Sequence, residues 1–159
     1  MTAAEVYELT TQGGATDFAR LIRACESFGP YCLIGGLAVN CYVEPVYTLD
    51  VDMVVVSSRL DNLNAHLEEQ GSDLRIQFTT DPRYQAFLAR SVDAEVLGMP
   101  VKIASLEDVT QGKLWAYSDP KRRLTKRKKD ELDLIRLAEA YPHLKNLLPR
   151  ELLDQIEKG

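Results

Sequence analysis

Short apolar runs alternate with amphipathic segments along most of the chain. Residues 15–27 and 58–70 carry apolar side chains at helical spacing, whereas residues 48–56 are rich in β-branched side chains and residues 73–80 alternate apolar with polar. The pattern predicts helices over about 4–12, 15–27, 37–43, 58–70, 84–90, 105–117, 130–141 and 150–157, and strands over 31–36, 48–56, 73–80 and a hairpin over 94–104. This alternation predicts an α/β or α+β fold with a mixed β-sheet flanked by helices and a C-terminal helical segment.

Length and composition are those of an ordinary globular protein. The 159 residues fit one domain, 1–159, with a core over about 30–117 and a helical part over about 118–159. No segment approaches the roughly 18 consecutive apolar residues of a membrane-spanning helix, so no membrane association is expected. The net charge of −5 argues against nucleic-acid binding by the charge of the whole protein.

The cysteines and histidines do not form a metal-binding pattern. Cys25, Cys32 and Cys41 lack metal-ligand spacing and lie in apolar surroundings, and the only histidines, His66 and His143, are far apart. A zinc site or Cys/His catalysis is therefore not expected. The thiols are instead predicted to be buried and reduced, which indicates a cytoplasmic protein.

Two carboxylates interrupt the predicted strand 48–56, at Asp50 and Asp52. Residues two apart on a strand share a face, so both carboxylates project together while Val51 points to the core. Adjacent carboxylates repel, and Mg²⁺ would relieve that repulsion because it prefers hard oxygen ligands. Paired metal ions are common in phosphoryl and nucleotidyl transfer. An exposed strand or a turn would explain an isolated Asp-Val-Asp equally well.

Gly35 and Gly36 close the predicted strand 31–36, directly before the predicted helix 37–43. Glycines at such a point let the backbone approach a phosphate, although a tight turn would also need them. The combination is more specific than either part. An apolar strand, Gly-Gly and a helix precede an Asp-x-Asp strand, and thirteen residues separate Gly36 from Asp50.

This combination resembles the minimal signature of the nucleotidyltransferase fold, the DNA polymerase beta-like superfamily. Further along, Lys113 in SLEDVTQGKLWAYSD and then Lys129, Asp130 and Asp133 in KRKKDELDLIRL resemble the AbiEii-type nucleotidyltransferase toxins and their relatives. The resemblance covers roughly residues 30 to 140. It implies transfer of a nucleoside monophosphate from a nucleoside triphosphate (NTP) to an acceptor, with Mg²⁺ or Mn²⁺ as cofactor.

The resemblance also implies roles for individual residues. Asp50 and Asp52 would bind the metal and, with Lys113, would form the catalytic set. The implied nucleotide-binding residues are Gly35, Gly36, Thr48, Lys113, Lys129 and Asp130.

The sequence departs from the family pattern where a third carboxylate is usual, on a later strand. The predicted strand 73–80 offers Gln77 or Arg75 at its inward-facing positions, and neither can act as a base. Asp73, at the start of that strand, is the alternative; Asp93 and Glu95 are poorer candidates.

Two smaller departures lie nearer the signature. Leu37 follows the glycine pair where many members have Ser or Thr. The Arg-x-Thr-x-Asp pattern common in AbiEii-type proteins keeps Thr48 but has Val46 in place of the arginine.

A basic run, KRRLTKRKK at 121–129, holds seven cations in nine residues and is predicted to belong to a polar connection over 118–129. A solvated loop is the simpler interpretation. Its proximity to Lys113 also fits tRNA or another RNA as partner. Trp115 and Tyr117 could stack a base, although core packing is commoner for such side chains.

Two functional hypotheses follow. The first is a nucleotidyltransferase whose acceptor is RNA, protein or a small molecule, and for which a toxin–antitoxin pair with a cognate antitoxin protein is one role. The alternative is a catalytically inactive module of the same fold that binds nucleotide or RNA.

Overall fold

The structure, a computed structural model, describes residues 14–70 and 74–159. The helices are α1 (Gly14–Phe28), α2 (Gly35–Val39), α3 (Leu60–Gln70), α4 (Pro82–Gln85), α5 (Leu106–Ser118), α6 (Leu124–Ala140) and α7 (Arg150–Lys158). The strands are β1 (Tyr31–Ile34), β2 (Asp50–Val55), β3 (Arg75–Thr79), β4 (Val92–Val96) and β5 (Met99–Ile103). Short 3₁₀ turns cover Ser57–Arg59, Leu88–Arg90 and Pro142–Leu147.

The five strands form one mixed sheet in the order β3-β2-β1-β5-β4. β2 runs antiparallel to β1 and parallel to β3, while β1 runs parallel to β5. The predicted α/β class with a mixed sheet and flanking helices is therefore confirmed. In the register of β2 and β3, Asp50 lies opposite Arg75 and Asp52 opposite Gln77.

The main hydrophobic core lies between the sheet and its helices. Phe18, Leu21 and Ile22 of α1 are fully buried, as are Val51 and Met53 on the inner face of β2. Burial of large apolar side chains on this scale supplies most of the driving force for folding. It also fixes the outward face of β2, on which Asp50 and Asp52 lie.

The C-terminal helices have a smaller core of their own. Leu134 and Ala138 of α6 pack with Leu148 and Leu152, and Ile156 of α7 lies against the same cluster. The apolar stripe of α7 therefore packs on the rest of the protein.

Some element boundaries differ from the predicted ones. α6 begins at Leu124, so the second half of the connection predicted over 118–129 is helical. Lys and Arg are good helix formers, and two aspartates of this helix are buried against cations, so propensity and packing both extend it. The glycine pair lies in the first turn of α2, which ends at Val39 and not near 43. The predicted helix 4–12 lies outside the described residues.

All three cysteines are free thiols, but Cys41 is exposed, contrary to the expectation of burial. Among residues 14–70 and 74–159, no helix combines the length and apolarity that crossing a bilayer requires.

Candidate active site

A cleft of about 360 Å³ opens on the outward face of β2, between β3 and the helices α5 and α6. Five cations and four carboxylates line it. The cations are Arg75, Lys113, Arg122, Lys126 and Lys129, and the carboxylates are Asp50, Asp52, Asp130 and Asp133. The remaining wall comes from Gly36, Val46, Tyr47, Thr48, Ile76 and Gln77. The structure thus brings together nearly all the residues that the sequence singled out.

Asp50 and Asp52 share a face of β2, as the strand alternation predicts, but their environments differ. Lys126 Nζ lies 2.7 Å from Asp50 Oδ2, and this hydrogen bond lowers the pKa of Asp50 below its ordinary value. Burial raises the pKa of Asp52; Lys113 opposes the rise and the charge of Asp50 adds to it. Within the described residues, no hydrogen bond or ion pair reaches the Asp52 carboxylate. The pair therefore combines one carboxylate held in a direct ion pair and one that nearby cations reach only at longer range.

Gly35 and Gly36 lie against different side chains of the site. Gly35 has a positive φ of 69°, and a Cβ there would overlap the Asp52 carboxylate. Gly35 is thus needed both for its backbone conformation and for the space that Asp52 occupies. Gly36 faces Thr48, whose Oγ1 would lie 3.2 Å from an added Cβ. Gly36 and Thr48 both line the cleft.

Lys113 lies in a buried ion-pair network between α5 and α6. Its Nζ is 3.2 Å from Asp130 Oδ1 and 2.8 Å from Asp133 Oδ2, and the Asp130 side chain is 1% exposed. Arg122 and Arg136 add 2.7 Å and 2.8 Å contacts to Asp130 and Asp133 respectively. Lys113 lines the cleft, but its ammonium group is already paired with two carboxylates.

Lys129 also lines the cleft, and among the described residues neither it nor Arg75 is part of an ion pair. Both side chains are exposed. These two cations therefore contribute positive charge to the cleft that no neighbouring carboxylate balances through a direct contact.

The third carboxylate of the family pattern, expected on the strand beside β2, is not found among residues 14–70 and 74–159. Across from Asp52 on β3 stands Gln77, whose side chain is exposed and lines the cleft. No group of three or more His, Cys, Asp or Glu side chains in the described residues could hold a metal ion. Asp73 lies outside those residues. Asp93 of β4 pairs instead with Lys102 at 2.5 Å.

Three lining cations, Lys126, Arg122 and Arg75, were not assigned to the site from sequence. Lys126, Lys129, Asp130 and Asp133 follow the i, i+3, i+4, i+7 spacing of one helix face. The spacing has this meaning only once the residues before Asp130 are helical, and the sequence predicts a connection there. Arg122 and Arg75 carry no comparable local pattern.

A second cleft, of about 160 Å³, adjoins the first and shares Asp52 with it. Ile34, Val109, Ala116 and Tyr84 give it an apolar wall, and Gln77, Lys113 and Arg122 are shared with the first cleft. Asp52 thus lines both clefts, one rich in charged side chains and one with an apolar wall.

Several solved structures are similar to this chain. One is an antigenic nucleotidyltransferase-like protein from Paracoccidioides brasiliensis, with a TM-score of 0.57, 20% identity, and coverage of 79% of this chain and 75% of that one. Another is the solution structure of the antibiotic-resistance factor ANT(2'')-Ia, with a TM-score of 0.55, 18% identity, and coverage of 86% and 96%. The crystal structure of ANT(2")-Ia with adenylyl-2"-tobramycin gives a TM-score of 0.50, 18% identity, and coverage of 91% and 95%.

No family model and no curated protein matches the sequence. At 18–20% identity the solved structures are similar in fold alone. Sheet order, site placement and these likenesses agree, and the chain therefore has a nucleotidyltransferase-like fold.

Proposed function

We propose that this protein is a metal-dependent nucleotidyltransferase, which moves a nucleoside monophosphate from an NTP to an acceptor hydroxyl. The observation that carries the proposal is the pair Asp50 and Asp52, set in unlike environments in a cleft that five cations also line. Carboxylates for a metal ion and cations for phosphates are the two components such a transfer needs. The likeness in fold supports it by analogy.

The donor set fits Mg²⁺ or Mn²⁺ when nucleotide is also bound. Mg²⁺ is commonly held by one or two carboxylates together with substrate phosphates and water, so Asp50 and Asp52 suffice as protein ligands. Asp52, which has no direct ion-pair partner among the described residues, would attract the metal ion more strongly than Asp50, since the ion would offset the charge that burial penalises. The ion would supply charge stabilisation at the transferred phosphoryl group.

The NTP phosphates would lie in the larger cleft. Lys129 and Arg75 supply charge there that no ion pair satisfies, and Gly36 brings backbone to the cleft wall. Lys113 would act on the phosphates only at longer range, because Asp130 and Asp133 hold its ammonium group. Its principal contribution is to join α5 to α6 beside the site.

The acceptor hydroxyl would approach from the second cleft, which shares Asp52 with the nucleotide cleft. The acceptor oxygen forms a bond to the α-phosphorus, the bond from that phosphorus to the oxygen bridging to the β-phosphate breaks, and pyrophosphate leaves. The acceptor proton passes to solvent, because Asp52 would bind the metal ion and the Gln77 amide cannot act as a base.

A transfer assay tests this function. Protein would be incubated with each α-labelled NTP, Mg²⁺ and, in separate reactions, total tRNA, a protein mixture or tobramycin. We expect label to move to one acceptor class, and the loss of that transfer in Asp50→Ala and Asp52→Ala variants that remain folded by circular dichroism. Transfer that persisted in both variants would place the chemistry elsewhere.

The second candidate is a module that binds nucleotide without transferring it. Gln77 favours it, because an amide occupies the strand position opposite Asp52 and cannot act as a base. Mg²⁺-dependent NTP binding with no transfer to any acceptor would support the module. In that case Gln77→Asp, which adds a carboxylate at the same position, is expected to confer measurable transfer.

RNA as acceptor, and a toxin role with an antitoxin partner, stay predictions. Within the basic run, Lys126 and Arg122 are held by site carboxylates. Lys121, Arg123 and Lys128 are exposed and are the residues through which RNA would be bound.

A further inference from the structure

One aromatic side chain at the larger cleft is exposed. Tyr47 lines that cleft and is 60% exposed. Among the described residues it is the only Phe, Tyr or Trp among the exposed large hydrophobic side chains. Leaving so large an apolar surface in water offers no stability, which invites the question of what covers it.

The backbone that carries Tyr47 is held in place. The Asn40 side chain donates to the Val46 carbonyl at 2.7 Å and accepts from the Val46 amide at 3.1 Å. Arg136 donates to the carbonyl of Glu44 in the same loop. On the other side, Thr48 packs against Gly36. The ring is thus exposed on an anchored segment, so that a ligand would meet a largely preorganised surface.

The other aromatic side chains considered for base stacking are already occupied. Trp115 stacks on Phe87 with ring centroids 5.8 Å apart and 5° between planes. The Arg83 guanidinium lies 4.9 Å from the Trp115 ring centroid. Tyr117 donates its hydroxyl to Glu151 at 2.5 Å. Tyr47, by contrast, makes no ring contact with another aromatic or a guanidinium in the described part of the chain.

We infer that Tyr47 is the stacking platform for the base of the bound nucleoside triphosphate. This inference rests on the proposed function and specifies its nucleotide subsite. Lys129 and Arg75 line the same cleft with unpaired charge, so an occupant with a flat aromatic end and an anionic end matches both features. Stacking on one ring face accepts every base, and a purine, with more area to cover the ring, is bound more tightly than a pyrimidine.

The test compares NTPs with a ligand that lacks the base. Isothermal titration calorimetry at fixed Mg²⁺ would measure ATP, CTP and inorganic tripolyphosphate binding to wild type, Tyr47→Ala and Tyr47→Phe. We expect Tyr47→Ala to weaken ATP binding roughly 5- to 100-fold, the loss that base–aromatic stacking produces. Tripolyphosphate affinity should stay within about twofold, and Tyr47→Phe should retain ATP affinity because the ring remains.

The outcomes separate the two proposals. Unchanged ATP binding in Tyr47→Ala, or equal losses for ATP and tripolyphosphate, would overturn the platform while leaving a nucleotide site in place. CTP bound more tightly than ATP by wild type would overturn the purine preference. If wild type bound neither ATP nor tripolyphosphate, the proposed function would fail and the platform with it.

Discussion

The cleft holds two pairs of aspartates that look alike in sequence and differ in environment. Asp130 and Asp133, on α6, are buried and bound by Lys113, Arg122 and Arg136. Asp50 and Asp52, on β2, are more open to solvent, and only Asp50 has an ion-pair partner among the described residues. The first pair is satisfied by the protein itself, whereas the second retains a capacity for a cation.

The difference distinguishes a structural ion-pair network from a candidate reaction centre. A buried network whose charges are matched must stay intact, because removing one partner strands the others away from water. A carboxylate whose pKa is raised by burial, beside one whose pKa is lowered, is the arrangement expected where protons or cations are exchanged. Two residues separate Asp130 from Asp133 and one separates Asp50 from Asp52. This difference in spacing does not reveal which pair has its charges matched.

The largest effect is expected from Asp130→Asn, which breaks the buried network. Lys113 and Arg122 would lose a carboxylate that is 1% exposed, at an expected cost of about 3–5 kcal/mol in the free energy of unfolding. Urea unfolding followed by circular dichroism would measure it. The matched control is Asp154→Asn, which removes an exposed ion pair with Arg150 and should cost less than about 1 kcal/mol. Similar losses in both variants would contradict a structural role for the network.

An intermediate effect is expected from Gly35→Ala, which disturbs Asp52 because Gly35 lies against its side chain. The positive φ disfavours a Cβ, and that Cβ would overlap the Asp52 carboxylate, so we expect a loss of about 1–3 kcal/mol in unfolding free energy. Gly36→Ala is the internal control, since Gly36 has no positive φ and an added Cβ would approach the Thr48 side chain no closer than 3.2 Å. It should stay within about 1 kcal/mol of wild type. Thermal unfolding of both variants measures the difference, and equal losses would mean that Gly35 has no special role.

The smallest effect, with the opposite sign, is expected from Asp52→Asn. Burial raises the pKa of Asp52 above 3.8, so the folded state binds its proton more tightly than the unfolded state. The carboxyl therefore lowers stability as pH rises through that raised pKa, and its removal should stabilise the apo protein by about 0.5–2 kcal/mol at neutral pH. The gain should vanish below about pH 3.8.

Asp50→Asn provides the contrast. The Lys126 hydrogen bond lowers the pKa of Asp50, so this carboxylate stabilises the folded state above pH 3.8 and its removal should be slightly destabilising there. Urea unfolding across pH would measure both variants. Shifts of the same sign would show that the two carboxylates do not differ as described.

Local patterns were sufficient for much of the fold. The alternation in TLDVDMVVV predicted that Asp50 and Asp52 share a face, and the sheet places both on the side of the cleft. Ser105 lies directly before α5 with Asp108 three positions later, a spacing typical of a helix N-cap, and its Oγ accepts from the Asp108 amide at 3.2 Å. Such features depend on consecutive residues, whose side-chain directions follow from backbone periodicity.

The sequence by itself determined the mixed α/β class, the outward pair of aspartates and the glycines beside them. Only the tertiary structure decided which charges are satisfied: Lys126 reaches Asp50 from 76 positions away, Lys113 is held by α6, and sheet register sets Gln77 opposite Asp52. It also decided that Tyr47 is exposed at the cleft while Trp115 is packed. The physical reason is that periodicity is local, whereas ion pairing, pKa and exposure depend on distances between segments that only sheet order and helix packing bring together.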